Sequence, residues 1–180
     1  MPDSHCMGSG LCSTLREHWP VEQICETLQL VPHPEGGWYR ETHRGGLQVQ
    51  RADGGRRSAF TRILYLLPEG GHSRWHRVLG AEEVWRFLLG APLELWMLAP
   101  DGGDPTITML ASEGSGTNPA NALCTDLHVV PADWWQAARA GSGWSLVSCW
   151  VAPGFDFDDF ELLAHRPAGS RPPGARADLL

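Results

Sequence analysis

Between residues 59 and 163, apolar and β-branched residues recur in runs of strand length. These are AFTRILYLL (59–67), EEVWRFLLG (82–90), PLELWMLAP (92–100), PTITMLA (105–111), DLHVVP (126–131), WSLVSCWVAPG (144–154) and FDFDDFELL (155–163). Turn-forming clusters separate them, most clearly PEGG (68–71), APDGGD (99–104) and AGSG (140–143). Upstream, PVEQICETLQL (20–30) places Val21, Ile24 and Leu28 at helical spacing behind a proline suited to a first turn. One short N-terminal helix followed by a meander of strands predicts an all-β fold, a closed or sandwiched antiparallel sheet.

Composition sharpens this picture at the ends of the chain. MPDSHCMGSGLCS has no apolar run, so residues 1–18 read as a flexible leader; RPAGSRPPGARADLL (166–180) reads as a disordered Pro/Gly/Arg tail. The folded unit is expected over residues 19–165, and 180 residues suit one domain. A formal net charge of -7 with no basic cluster argues against a nucleic-acid surface. No apolar stretch is long enough to cross a membrane. Five cysteines without CxxC spacing suit a reduced compartment, and the expected location is cytoplasmic.

The segment HRVLGAEEVW (76–85) raises the chemical question. Residues two apart on a strand share a face, so His76 pairs with Val78, and Glu83 with Trp85 and Phe87. A hairpin at Leu79-Gly80 is expected to set His76 beside Glu83 on one wall. Such a pair suits a divalent metal, a base whose tautomer a carboxylate fixes, or a merely satisfied polar cluster.

The spacing Gly70(x)5His76(x)Val78(x)4Glu83(x)6Gly90 follows the first motif of the cupins, G(x)5HxH(x)3-4E(x)6G, with Val78 where the second histidine stands. Pro131(x)Asp133(x)(x)Gln136 aligns with the PxGxxH core of the second motif, with glutamine where the histidine stands. Together with PHPEGGWYRETHR (32–44), EEVWRFLLGAPLEL (82–95) and VAPGFDFDDFELL (151–163), these phrases resemble a single-domain cupin family of unknown function over roughly 130 residues. The resemblance implies a cupin double-stranded β-helix, a jelly-roll barrel that is commonly a homodimer, with a small-molecule pocket inside.

Two of the imidazoles of a full cupin centre are gone. That argues against tight transition-metal binding and leaves His76, Glu83 and Gln136 as a degenerate candidate site for a divalent metal. The same residues suit a metal-free acid/base pocket, with His76 and Glu83 as candidate catalytic groups and Gln136 as a polar contact. GGWYRE (36–41) is similar to the G-x-F-x-E phrase of dTDP-sugar epimerases, cupins that use a metal-free histidine base. On that similarity Arg40, a candidate for phosphate or carboxylate, and Glu41 stand near the mouth, with Trp85 and Phe87 as walls. The expected function is binding of a small polar or anionic molecule, the alternative an epimerase/isomerase-like or metal-assisted enzyme. Arg86, of opposite parity to Glu83, belongs outside the pocket. Trp75, Trp96, Trp144 and Trp150 read as core, His33 as a turn anchor, Cys149 as an inert buried thiol and DFDDFE (156–161) as an edge strand with a solvated acidic face.

Overall fold

A computed structural model describes Leu15, residues 18–112 and residues 124–180 of the chain. Helix α1 (Val21–Leu28) follows Pro20, whose extended backbone and missing N–H suit a helix start, and Gln29 ends it in the left-handed region. Fourteen strands follow among the described residues. Six of them, β1 (Val31–Pro32), β2 (Trp38–Arg44), β5 (Thr61–Leu67), β7 (Glu82–Gly90), β11 (Leu127–Val130) and β13 (Ser145–Ala152), form one sheet in the order β1-β2-β5-β13-β7-β11. A second sheet has the order β10-β9-β8-β12-β6-β14, built from β6 (His72–Val78), β8 (Leu93–Leu98), β9 (Thr106–Leu110), β10 (Cys124–Thr125), β12 (Trp135–Ala140) and β14 (Phe160–Leu162). Strands β3 (Gln48–Gln50) and β4 (Arg56–Ser58) make a separate hairpin. Among these strands only β9 and β10 pair in parallel.

The architecture is the double-stranded β-helix that the sequence implies. Tyr65, Trp85, Phe87, Val147 and Cys149 of the first sheet interdigitate with Leu93, Leu95, Met97, Leu110, Ala138 and Ala140 of the second, filling much of the barrel with side chains. Both outer faces are also covered. Helix α1 lays Ile24 and Leu28 on Leu64, Leu66 and Leu146 of the first sheet and on Trp144 just ahead of it. On the second sheet, Leu179 and Leu163 bury against Trp75, Trp96, Leu98 and Trp135.

That last contact corrects the expectation of a disordered tail. Residues 166–180 carry two short 3-10 turns, Ala168–Ser170 and Ala177–Leu179, and Leu179 is fully buried. Arg139 and Arg176 both pair with Asp178 at 2.6 and 2.9 Å, and Trp75 donates its indole N–H to the Arg176 carbonyl. The tail is poor in apolar residues by composition, but one leucine suffices where an aromatic outer face needs a cover. The leader lies outside the described residues except for Leu15, which packs under α1, and His18, which is exposed.

Three further expectations change. His76 and Glu83 do not share a hairpin wall: β6 lies in the second sheet and β7 in the first, so the chain crosses the barrel between them. The crossing is pinned on both sides, Leu79 N–H donating to the Asp159 carbonyl and Gly80 N–H to Asp133 Oδ1. DFDDFE is mostly a 3-10 turn, Phe157–Asp159, with only its end in β14; Asp159 is buried in ion pairs with Arg51 and Arg57, both at 2.7 Å. Trp150 is 36 % exposed on the outer face, stacked on Phe60 with Arg62 over its ring, so it is not core.

Candidate functional site

The barrel keeps one cavity wall polar. A cavity of about 250 Å³ is lined by residues of both sheets and of the 155–160 segment, among them His33, Glu35, Tyr39, Glu41, Arg44, His76, Val78 and Glu83. His76 and Glu83 therefore face the same interior space from opposite sheets. Gln136 is the Cα partner of His76 on the neighbouring strand and reaches the same place from β12. All three are buried.

Gln136 does not face the open space. Its Nε2 donates to Glu83 Oε2 at 2.6 Å, and its Oε1 accepts the indole N–H of Trp85 at 2.8 Å. Since an indole only donates and a carboxylate only accepts, these two partners fix which way the amide points. The side chain is a brace between the sheets, holding Glu83 in place.

Sequence reasoning missed the carboxylate nearest the histidine. Glu35 precedes β2 and is buried; its Oε2 lies 3.2 Å from His76 Nε2 and 3.4 Å from His33 Nδ1. Two glycines make this approach possible. Gly36 and Gly37 take φ of 112° and 65°, and a Cβ on them would fall 2.7 Å from the His72 carbonyl and 2.6 Å from the Leu66 carbonyl. The backbone is thereby pressed onto β5 and β6, Arg74 N–H bonding the Glu35 carbonyl at 2.8 Å, and the carboxyl turns inward. The signal was present in PHPEGG: a glutamate before two glycines that only a close backbone approach requires. His33 is more than a turn anchor, since its ring lines the cavity 4.6 Å from Tyr39.

Hydrogen bonding fixes the state of the imidazole. His76 Nδ1 lies 2.8 Å from the Arg74 carbonyl, which can only accept, so the proton sits on Nδ1 and the Nε2 lone pair faces Glu35. Burial pushes His76 down to about 4 and, with the nearby His76, pushes His33 down to about 3. Burial and then the charge of Glu83 hold Glu35 well above the usual carboxylate range; burial lifts Glu83 to about 7, against the hydrogen bond from Gln136. The arrangement is a neutral imidazole whose Nε2 faces Glu35, a carboxyl that burial and Glu83 bias toward its protonated form, with Glu83 itself lifted to about 7.

The remaining expected residues divide by strand parity. Glu41 lines the mouth. Arg40 does not: it points to the opposite face, where Nη1 donates to Gln29 Oε1 at 3.2 Å. A bulge between Glu41 and His43 shifts the register, so that Arg44 takes the inward place, its guanidinium bonding both oxygens of Glu41 at 2.9 and 2.7 Å. Trp85 and Phe87 lie beyond Glu83 along β7, in the packed core beneath the cavity. Arg86 is exposed on the outer face, near Asp126. Cys149 lines the cavity, and burial raises its thiol well above its usual range.

The residues do not fit a cupin metal. Val78 has no donor atom, and the one oxygen of the Gln136 side chain is spent on Trp85. Among the described residues no group of three or more His, Cys, Asp or Glu side chains has metal-holding geometry.

Two facing sheets closed around a cavity, with His76 and Glu83 at first-motif spacing, define a cupin. The chain belongs to the family described as Cupin superfamily (DUF985), which matches residues 22–163. It is similar to the structure of a hypothetical protein from Leishmania major, at 32 % identity over 78 % of this chain and 85 % of that one, TM-score 0.66. It is also similar to protein SO0799 from Shewanella oneidensis, at 30 % identity over 82 % and 85 % of the two chains, TM-score 0.68. The capsular polysaccharide assembling protein CapF from Staphylococcus aureus shares the fold, at 8 % identity over 74 % of this chain and 33 % of its own, TM-score 0.54. Comparison with curated proteins finds no match.

Proposed function

We propose that this cupin binds a small polar molecule in its barrel cavity and that the His76–Glu35 pair, joined through His76 Nε2, moves a proton to or from that molecule. The observation that carries the reading is the 3.2 Å contact between His76 Nε2 and Glu35 Oε2 inside a cavity. A proton given to a ligand leaves the His76–Glu35 pair with one negative charge, and a proton taken from a ligand leaves it with one positive charge, balanced in each case by the opposite change on the ligand beside it. This favours isomerase-like chemistry without a metal over metal assistance, because Gln136 is committed as a brace.

A thermal-shift screen of small carbonyl compounds and polyols supplies a ligand; hydrogen-deuterium exchange from D2O into that ligand, followed by NMR, reports proton transfer. The expected result is exchange that His76→Asn slows by roughly 100-fold or more, with affinity changed only a few-fold. Exchange unaffected by His76→Asn would overturn the proton-transfer role. Tight binding with no exchange in the parent protein would make this a binding module instead.

A further inference from the structure

The reading above leaves the ligand's charge open, and the cavity wall bears on it. Four carboxyl side chains line the space, Glu35, Glu41, Glu83 and Asp156, against one guanidinium, Arg44. Arg44 is already spent: Nε and Nη2 bond Glu41, and Nη1 donates to the Phe155 carbonyl at 3.0 Å. Both histidines are held neutral by burial. Among the described lining residues an anion entering this cavity would find no cation free to receive it and the partly ionised Glu83 to repel it.

Part of the lining is aromatic and adjoins the two histidines, Phe160 lying 5.6 Å from His76 and 5.8 Å from His33 between ring centroids. Phe155, Phe157 and Phe160 come from one short segment, with centroids 5.0, 5.9 and 6.1 Å apart and ring planes inclined at 81°, 65° and 82°. Three steeply inclined rings form a corner, and all three line the cavity together with Tyr39. Ring faces carry negative potential, so such a corner in a cavity that also holds carboxyl groups attracts a cation that is too weakly hydrated to resist leaving water. The 155–160 segment is fixed for this role, since Asp159 within it is clamped by Arg51 and Arg57. At about 250 Å³ the cavity falls below the roughly 300–1,000 Å³ typical of drug-sized ligands, so the occupant is small.

We infer that the cavity selects a small organic ammonium ion, its positive head set between the Phe155–Phe157–Phe160 corner and the Glu35/Glu83 carboxyls. This rests on the cavity being the ligand site and replaces the anionic option with a cationic one. Within that site Glu83 supplies the counter-charge, Glu35 offers a carboxyl oxygen as a polar contact, and the rings exclude water from the head group. The same cavity then distinguishes a cation from a neutral molecule of equal shape.

The test is calorimetric titration of the full chain with choline, with its uncharged carbon isostere 3,3-dimethylbutan-1-ol, and with acetate. Three variants accompany it: Phe157→Ala, Glu83→Gln, and Val78→Trp, which fills the cavity. Phe157 is 52 % exposed, so its truncation leaves the core intact. The expected result is saturable choline binding at least 10-fold tighter than the isostere and no binding of acetate. Phe157→Ala and Glu83→Gln should each weaken choline by at least 5-fold, and Val78→Trp should abolish it. Choline and isostere binding equally, or acetate or the isostere binding where choline does not, each lost in Val78→Trp, would overturn the preference for a cation and leave the cavity as the site. Choline binding unchanged in Val78→Trp would overturn both. Binding of none of the three probes would overturn the ammonium inference alone.

Discussion

His76 Nε2 stands 3.2 Å from Glu35 Oε2, and the two residues come from segments that a sequence motif does not connect. The imidazole is placed by β6 and by the Arg74 carbonyl, the carboxyl by a backbone that two glycines allow to press against β5 and β6. The chemistry of the cavity depends on this pair.

Gln136 braces Glu83 against Trp85, and its removal should be costly. Gln136→Leu leaves a buried indole N–H and a buried carboxyl without their partner, each worth about 1–3 kcal/mol. Urea denaturation is expected to show a loss of roughly 2–4 kcal/mol. A loss below about 0.5 kcal/mol would mean that water or another group replaces the brace.

Glu83 gives a pH signature with a definite sign. Its folded pKa is raised to about 7 from 4.5, so the stability it contributes is complete below pH 4.5 and is lost as pH rises through 7. Glu83→Gln removes that dependence. The variant should gain on the parent by about 1–3 kcal/mol at pH 8, and the gap should close by pH 5. Melting curves across this range check it; a variant that tracks the parent in parallel would show that Glu83 titrates normally.

The 166–180 tail can be tested by one substitution. Leu179→Asp places a charge against Trp75, Trp96 and Trp135, and should cost about 2–4 kcal/mol together with a red shift in tryptophan emission. No change in either would return the segment to the disorder that its composition suggests.

Asp159 should control the aromatic wall without touching the histidine. Asp159→Asn weakens its pairs with Arg51 and Arg57, and amide hydrogen exchange over residues 155–160 should rise by about 10-fold while that of β6 and β13 stays within two-fold. Uniform acceleration over all three would mean that Asp159 holds the whole fold.

The fold was largely legible. EEVWRFLLG was expected at 82–90 and is β7 (Glu82–Gly90); Val21, Ile24 and Leu28 lie on a helix that buries the latter two. Three of the longer strands did not appear as apolar runs, WYRETHR, HSRWHRV and WQAARA, because each carries polar side chains inward: Glu41 into the cavity mouth, His76 into the cavity and Gln136 into the barrel. Periodicity assumes that the inward face is apolar, and a barrel with a polar cavity breaks that assumption. Motif spacing found His76, Glu83 and Gln136, which converge on the barrel interior. It could not find Glu35, whose place depends on glycine backbone contacts distant in sequence, nor see that a bulge at Glu41/His43 gives Arg44, not Arg40, the inward place. Arg40 and Arg44 are indistinguishable by type; only the register separates them.

The central measurement is a 15N-NMR titration of the His76 side chain in the full chain. The account requires a neutral ring protonated on Nδ1 at pH 7, with Nε2 accepting, and protonation only near pH 4. In Glu35→Gln the Nε2 resonance should move while the Nδ1 tautomer persists. A ring that carries its proton on Nε2, or that titrates near 6.5 and ignores Glu35→Gln, would contradict it.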